Sequence, residues 1–371
     1  MKTLNTDTLH KNIEKIANYD LENNHIFGAS YCVIQKDKLI LKKHFGFSDA
    51  DGKTHVTDKT LYRIASMSKP IAGVAMMILE QHGHISVDDP VKKYLPELAD
   101  IQIVSANGKT KPKTDLTIAH CLSHTSGFGS ADGTDMTDKD RETIASTIKY
   151  WTNEGLIFEP FTQSMYSAYG AFDVLGAIVE KVTDMDYGTF LKKEIFLPCE
   201  MTDTTFSPTA EQQKRIMTMH DKADNKSVIS PTVPGCVFEN FPYSHNLVGG
   251  GLVSSLSDYM NFAKMLLNHG KFGNTQILSK NSVVKLSTPC FPISWAPDKE
   301  SWGLSVRVVT SDSYERLPVG SYGWSGAYGT HFWVDPVNKI TAVYLKNSRF
   351  DGGAGAKTSE NFELDVFNSL E

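Results

Sequence analysis

The chain has 371 residues, 40% hydrophobic and 22% charged, with 27 glycines and 15 prolines. These are globular proportions that exclude a collagen-like, coiled-coil or disordered chain, and the length suggests about two domains' worth of core. A formal net charge of −6 without a long basic run leaves no electrostatic footprint for nucleic acid, and the longest apolar run, Ile71 to Leu79, is far short of the roughly 20 residues that cross a bilayer.

In chain order, residues 5–24 read as a helix, with Leu9, Ile13 and Ile16 at helical spacing. Residues 31–35 and 38–45 are β-rich on either side of Lys36-Asp37, which predicts a hairpin. Residues 66–83 form the clearest helix, with one apolar stripe of Ile71, Val74, Ala75, Ile78 and Leu79 that stops at Gly83. The helical pattern then dominates to about residue 295. It includes a helix at 173–182 and another that opens on the capping pattern Ser255-Leu256-Ser257-Asp258. Strands return in the last quarter, where Leu304, Val306 and Val308 alternate with polar neighbours. Residues 332–334 and 340–345 flank an Asp335-Pro336 turn, and a last helix fits 357–370. The expected fold is α/β (α+β): an antiparallel sheet built from both chain ends, flanked by helices, with a large, mostly helical insertion. Residues 1–64 and 296–371 would form the sheet domain and 65–295 the helical one, with the active site in the cleft between them. Five cysteines, Cys32, Cys121, Cys199, Cys236 and Cys290, are dispersed with no CxxC pair, and residues 1–7 lack an apolar core. The expectation is a cytoplasmic chain with reduced thiols and no secretory leader.

Three segments carry candidate chemistry. Ser66-Met67-Ser68-Lys69 opens the clearest helix and puts a hydroxyl and an amine one turn apart. A neutral lysine amine can deprotonate such a serine. The same spacing occurs at Ser146–Lys149 and Ser282–Lys285, but only Ser66 stands where an extended segment enters a helix. There Ser66 could be a simple N-cap, whereas Lys69 opposes the helix dipole, and that field favours a neutral amine. Tyr166 lies in a loop after Glu159-Pro160, and Gly323-Trp324-Ser325-Gly326-Ala327-Tyr328-Gly329-Thr330 is a glycine-rich turn beside strands. Ser325 superficially suits an α/β-hydrolase nucleophile elbow, but that fold requires an acid and then a histidine after the serine. The last histidine, His331, comes before Asp335, so the order fails. His120 and His124 are four apart and His82-Gly83-His84 is a tight pair, yet no HExxH or cysteine cluster accompanies them, so neither a metal nor a cofactor is expected.

Taken together these segments resemble the penicillin-recognising serine hydrolases. The relevant branch contains class C β-lactamases, D-amino-acid and DD-peptidases and β-lactamase-like carboxylesterases. The matching blocks are Arg63 to Lys69, His120-Cys121-Leu122-Ser123-His124-Thr125-Ser126-Gly127, Glu159-Pro160 through Tyr166-Ser167, Gly249 to Ser255 with Asp258, and Trp324-Ser325-Gly326. The resemblance implies that Ser66 is acylated while Lys69 and Tyr166 share the proton work as a coupled pair. It also implies an oxyanion hole from the backbone N–H groups of Ser66 and Ala327, and substrate contacts from Trp324, Ser325, Gly326, Ala168 and Tyr328. Two positions depart from the pattern. Ala168 stands where the family has the Asn of Tyr-x-Asn, and Trp324 stands where it has a Lys or His. Trp-x-Gly resembles the esterases, whose substrates are neutral. The reading is therefore a carboxylesterase acting on small neutral esters through an acyl-Ser66 intermediate. Acyl transfer to an alcohol acceptor, β-lactam or D-amino-acid peptide hydrolysis, and a non-catalytic ligand receptor are the alternatives. Partners would be a small ester and, for transfer, an alcohol, with no nucleic acid or membrane; the oligomeric state stays open. Loops 125–140 and 231–248 are expected to shape the pocket.

Overall fold

The computed structural model describes residues 1–371 except 24–25, 131–134, 224–225, 231–240, 242–244 and 350, with side chains undescribed at 222, 223, 226 and 227. Much of the two loops expected to shape the pocket therefore lies outside the described residues, as does Cys236.

The hairpin read from the sequence spans Gly28–Gln35 and Lys38–Gly46. Its two linking residues, Lys36 and Asp37, have φ of 50° and 64°. Positive φ at both central positions is the turn whose twist matches the strands it joins. Gly28–Gln35 pairs with Ile340–Leu345 on its other side, so the two chain ends do meet in one antiparallel sheet. The eight strands run in the order Phe291–Pro292, Glu300–Trp302, Arg307–Val309, Tyr322–Ser325, His331–Asp335, Ile340–Leu345, Gly28–Gln35, Lys38–Gly46.

Alternation along these strands fills two cores, because successive side chains point to opposite faces. Phe332, Val334, Val343 and Leu345 join the large core with the Leu256–Leu267 helix. Trp333, Ala342 and Tyr344 join a smaller one with Leu9, Ile13 and Ala17 of the Thr6–Asn23 helix and with Phe362 and Val366 of the Lys357–Asn368 helix. The Ser255 cap is present: its hydroxyl accepts the Asp258 N–H.

Two local expectations are corrected. Every residue from Ser68 to Leu79 is buried, not one stripe, because the Gly170–Thr183 and Lys280–Leu286 helices and the Leu304-Ser305 turn pack around the Ser68–Gln81 helix; a helix that is apolar nearly all round belongs in a core. The strand expected through residues 304–308 is only Arg307–Val309. Ser305 has φ of 72° and Gly303 N–H bonds the Val306 carbonyl at 2.8 Å, so this stretch is the turn between Glu300–Trp302 and Arg307–Val309. Among the described residues no helix is long and apolar enough to cross a membrane.

Candidate active site

The short strand Leu61–Arg63 pairs with Val253–Ser255 and delivers the chain to a single 3-10 turn, Ala65–Met67, before the buried helix starts. Ala65 sits in the left-handed region at φ 45°, which costs an L-residue about 1–2 kcal/mol and is a form of strain that gathers at functional sites. Ser66 is not the N-cap that spacing allowed: neither helical start has a side-chain cap. Ser68 ties this corner, donating to the Ala65 carbonyl at 2.7 Å and accepting from Leu252 N–H at 3.3 Å. The half-buried Ser66 hydroxyl instead accepts from Lys69 Nζ at 3.3 Å.

Lys69 is 1% exposed. Its amine also donates to the carbonyls of Ala168 at 2.9 Å and Gly249 at 2.8 Å. Burial lowers its proton affinity below the ordinary lysine value, against the opposing charge and hydrogen bond of Tyr166 and the charge of Asp173. Desolvation is thus the leading cause of the shift. Ala168 enters the site through its carbonyl, which gives the lysine the acceptor that a side-chain amide supplies in the family pattern. Gly249 is required as glycine: a Cβ there would lie 2.6 Å from the Ala168 carbonyl oxygen and 3.1 Å from Lys69 Nζ.

Tyr166 comes from a distant loop and is brought to the same place. Lys69 Nζ lies 4.9 Å from the centre of its ring. The loop is pinned on both sides of Tyr166 by one residue, since Met165 N–H bonds the His124 carbonyl at 2.9 Å and Ser167 N–H bonds His124 Nδ1 at 3.0 Å. His124 is buried, left-handed at φ 57°, and packed on the Tyr166 ring at 4.6 Å. Burial and then Lys69 hold its pKa well below 6.5, so it is neutral, and accepting at Nδ1 places its proton on Nε2. His124 is the functional residue that sequence reasoning passed over as a candidate ligand; its signal was the His-Thr-Ser-Gly block. His120 has a different task, accepting the Thr117 N–H in a capping box. Among the described residues no group of three His, Cys, Asp or Glu is arranged to hold a metal ion.

The Trp324 segment closes the site from the sheet. Trp324 is 4% exposed, and its indole N–H donates to the Tyr166 phenol oxygen at 3.4 Å. That donor was expected to face substrate and instead faces the phenol. Gly326 abuts the Ser66 turn: a Cβ there would lie 2.3 Å from the Ile64 carbonyl oxygen, to which Thr330 Oγ1 donates at 3.0 Å. This contact holds the Trp324 to Thr330 turn against the Ser66 turn, with Ala327 exposed, and among the described residues the N–H groups of Ser66 and Ala327 take no part in the loop hydrogen bonds. Tyr328 is buried, with its carbonyl accepting from Ser348 N–H at 3.0 Å.

Ser325 departs from the substrate contact expected of it. Its neighbour Trp324 faces the cleft, so Ser325 points to the other face of the sheet. There its hydroxyl bonds His331 Nδ1 at 2.8 Å, and His331 Nε2 bonds Glu363 Oε1 at 3.0 Å. All three are buried. A serine–histidine–acid chain is thus assembled in space with the last helix, on the sheet face opposite Trp324, although its order along the sequence remains serine, histidine, acid.

Fold and site together define a β-lactamase-fold serine hydrolase. The family model named Beta-lactamase matches residues 13–362, and the chain belongs to that family. Protein Rv1367c of Mycobacterium tuberculosis is 30% identical over 346 residues, covering 86% of this chain and 85% of that one. Two solved structures share the fold. The chain described as "EstCE1, a hydrolase with promiscuous acyltransferase activity" has a TM-score of 0.82 at 20% identity, covering 98% of each chain. A family VIII carboxylesterase has a TM-score of 0.78 at 18% identity, covering 97% of each.

Proposed function

We propose that this chain hydrolyses neutral carboxylic esters through an acyl-enzyme on Ser66. The observation that carries the reading is the convergence of Ser66 Oγ, Lys69 Nζ and the Tyr166 phenol, with the Trp324 N–H on the phenol oxygen where the family pattern has a cation. The Lys69–Tyr166 pair takes the serine proton, and Oγ bonds the ester carbonyl carbon. The backbone N–H groups of Ser66 and Ala327 hold the developing oxyanion, each worth roughly 2.7–4 kcal/mol. Collapse breaks the bond to the alcohol, which leaves with a proton from the pair. Water then repeats the sequence on the acyl-enzyme and frees the acid.

Trp324 offers apolar surface and no charge, so nothing at that position rewards a substrate carboxylate. p-Nitrophenyl butyrate should therefore turn over far faster than nitrocefin, and Ser66 should be labelled by a fluorophosphonate in the parent but not in Ser66→Ala. Comparable nitrocefin turnover would favour the β-lactamase reading. Absence of labelling would favour the receptor reading, against which stands a buried lysine that a pure binder has no reason to keep. Transfer to an alcohol is the second reading, supported by the described activity of EstCE1. The division into a sheet domain (1–64 and 296–371) and a helical domain (65–295) belongs to the same proposal, although the edge strand Phe291–Pro292 joins the sheet from just before that boundary; Ser66, Lys69 and Tyr166 come from one part and Trp324 to Ala327 from the other. The four described cysteines are free, which supports a reducing, cytoplasmic compartment.

A further inference from the structure

Behind Tyr166 stands Trp302, 1% exposed. Its ring meets Tyr166 at 6.1 Å, Trp324 at 4.7 Å and Trp295 at 5.8 Å. Its register partner on the next strand is Phe291, and residues directly opposite on antiparallel strands share one face. Phe291 in turn meets Phe161 at 5.3 Å. The loop carrying Phe161 and Tyr166 is fastened to the edge strand where Ser164 Oγ donates to the Pro292 carbonyl at 2.8 Å. The outer members of this connected set face water: Trp295 is 52% exposed and Phe161 50%. Isolated exposed apolar side chains are ordinary, but here the exposed rings of Trp295 and Phe161 connect to the half-buried Tyr166 through the buried Trp302 and the half-buried Phe291, and we call this connected set a shelf.

The chemistry says which half of an ester reaches that shelf. When the acyl–oxygen bond breaks, the departing oxygen takes its proton from the Lys69–Tyr166 pair, so the alcohol half must lie against the phenol at that moment. We infer that the shelf from Tyr166 to Trp295 and Phe161 binds the alcohol half of the ester, and that this alcohol is apolar, an alkyl chain of several carbons or an aryl group. The inference rests on the ester reading and deepens it. Run in reverse, the same shelf seats an apolar alcohol as acceptor. The alcohol O–H gives its proton to the Lys69–Tyr166 pair and its oxygen bonds the acyl carbon. The bond from that carbon to Ser66 Oγ breaks, and Oγ recovers the proton.

Two ester series test this. In ethyl, butyl, hexyl and octyl acetate the chain grows on the alcohol side; in methyl acetate, butyrate, hexanoate and octanoate it grows on the acyl side. The expected kcat/KM rises about twofold per CH2 along the first series, half of the fully buried value because a shelf covers one side of a chain. The second series should show no such rise. Trp295→Ala and Phe161→Ala, at exposed positions where substitutions are well tolerated, should flatten the slope of the alkyl acetates. With p-nitrophenyl acetate as donor, 1-hexanol should capture more acyl-enzyme than ethanol at equal concentration. A rise along the methyl esters instead, or a slope unchanged in both variants, overturns the inference and leaves the esterase standing. No turnover of either series removes the esterase reading and this inference with it.

Discussion

Tyr166 is held by packing as much as by hydrogen bonds: His124, Trp302 and Trp324 surround its ring, and the Trp324 N–H donates to its oxygen. Tyr166→Phe keeps that packing and removes the phenol O–H that the proposed mechanism shares with Lys69. Its kcat should fall by about 10²–10⁴ with the melting temperature almost unchanged; near-normal turnover of p-nitrophenyl butyrate would take Tyr166 out of the chemistry. Asp173 lies deeper, with Trp151 Nε1 donating to it at 2.7 Å, and burial lifts its pKa from 3.8 to about 7. Between those values the folded chain keeps a proton that the unfolded chain has released, so stability falls as pH rises through this window, by on the order of 4 kcal/mol. Asp173→Asn retains an acceptor for Trp151 and should flatten that fall, read as urea midpoints at about pH 4.5 and 7.5. A slope that survives the substitution would place its origin in another group.

The last helix and the central strands are joined by charge. Glu363 of the Lys357–Asn368 helix accepts from Arg307 at 2.7 Å, from Arg316, Tyr314 and His331 at 3.0 Å each, and all but Arg316 are buried. Its pKa is lowered because Arg307 and His331 outweigh the cost of burial. Removing one member of such a cluster is worse than never having it, since Arg307 would be left buried beside a single carboxylate, Glu300. Glu363→Ala should therefore cost about 3–5 kcal/mol in chemical denaturation. A loss below about 1 kcal/mol would mean that water compensates Arg307. The effect should reach catalysis, because the chain Glu363–His331–Ser325 ends beside Trp324 and Gly326.

For the whole molecule, the sheet closes across nearly the full sequence: Gly28–Gln35 is an inner strand between its own hairpin mate and Ile340–Leu345. A chain ending at residue 290 would lose six of the eight strands, as read from the strand order. The buried face of the Leu256–Leu267 helix would then lose its packing on the strands His331–Asp335 and Ile340–Leu345. Such a fragment should show no cooperative unfolding transition by circular dichroism; a sharp transition would mean that the helical part folds alone.

The sequence determined what neighbours in the chain decide. The hairpin at Lys36-Asp37, the Ser255 cap and the one-turn spacing of Ser66 and Lys69 follow from backbone geometry over a few residues. The ordered motif blocks added Tyr166. What short-range rules could not supply is the partner of a group that burial strips of water. Such a group must find a donor or acceptor wherever the packed core offers one. Only the tertiary structure therefore shows Lys69 on the carbonyls of Ala168 and Gly249, the Trp324 N–H on Tyr166, and Ser325 joined through His331 to the last helix. The turn at Ser305 was hidden for a related reason: its residues alternate like a strand, but where a strand ends is settled by the register of its partners.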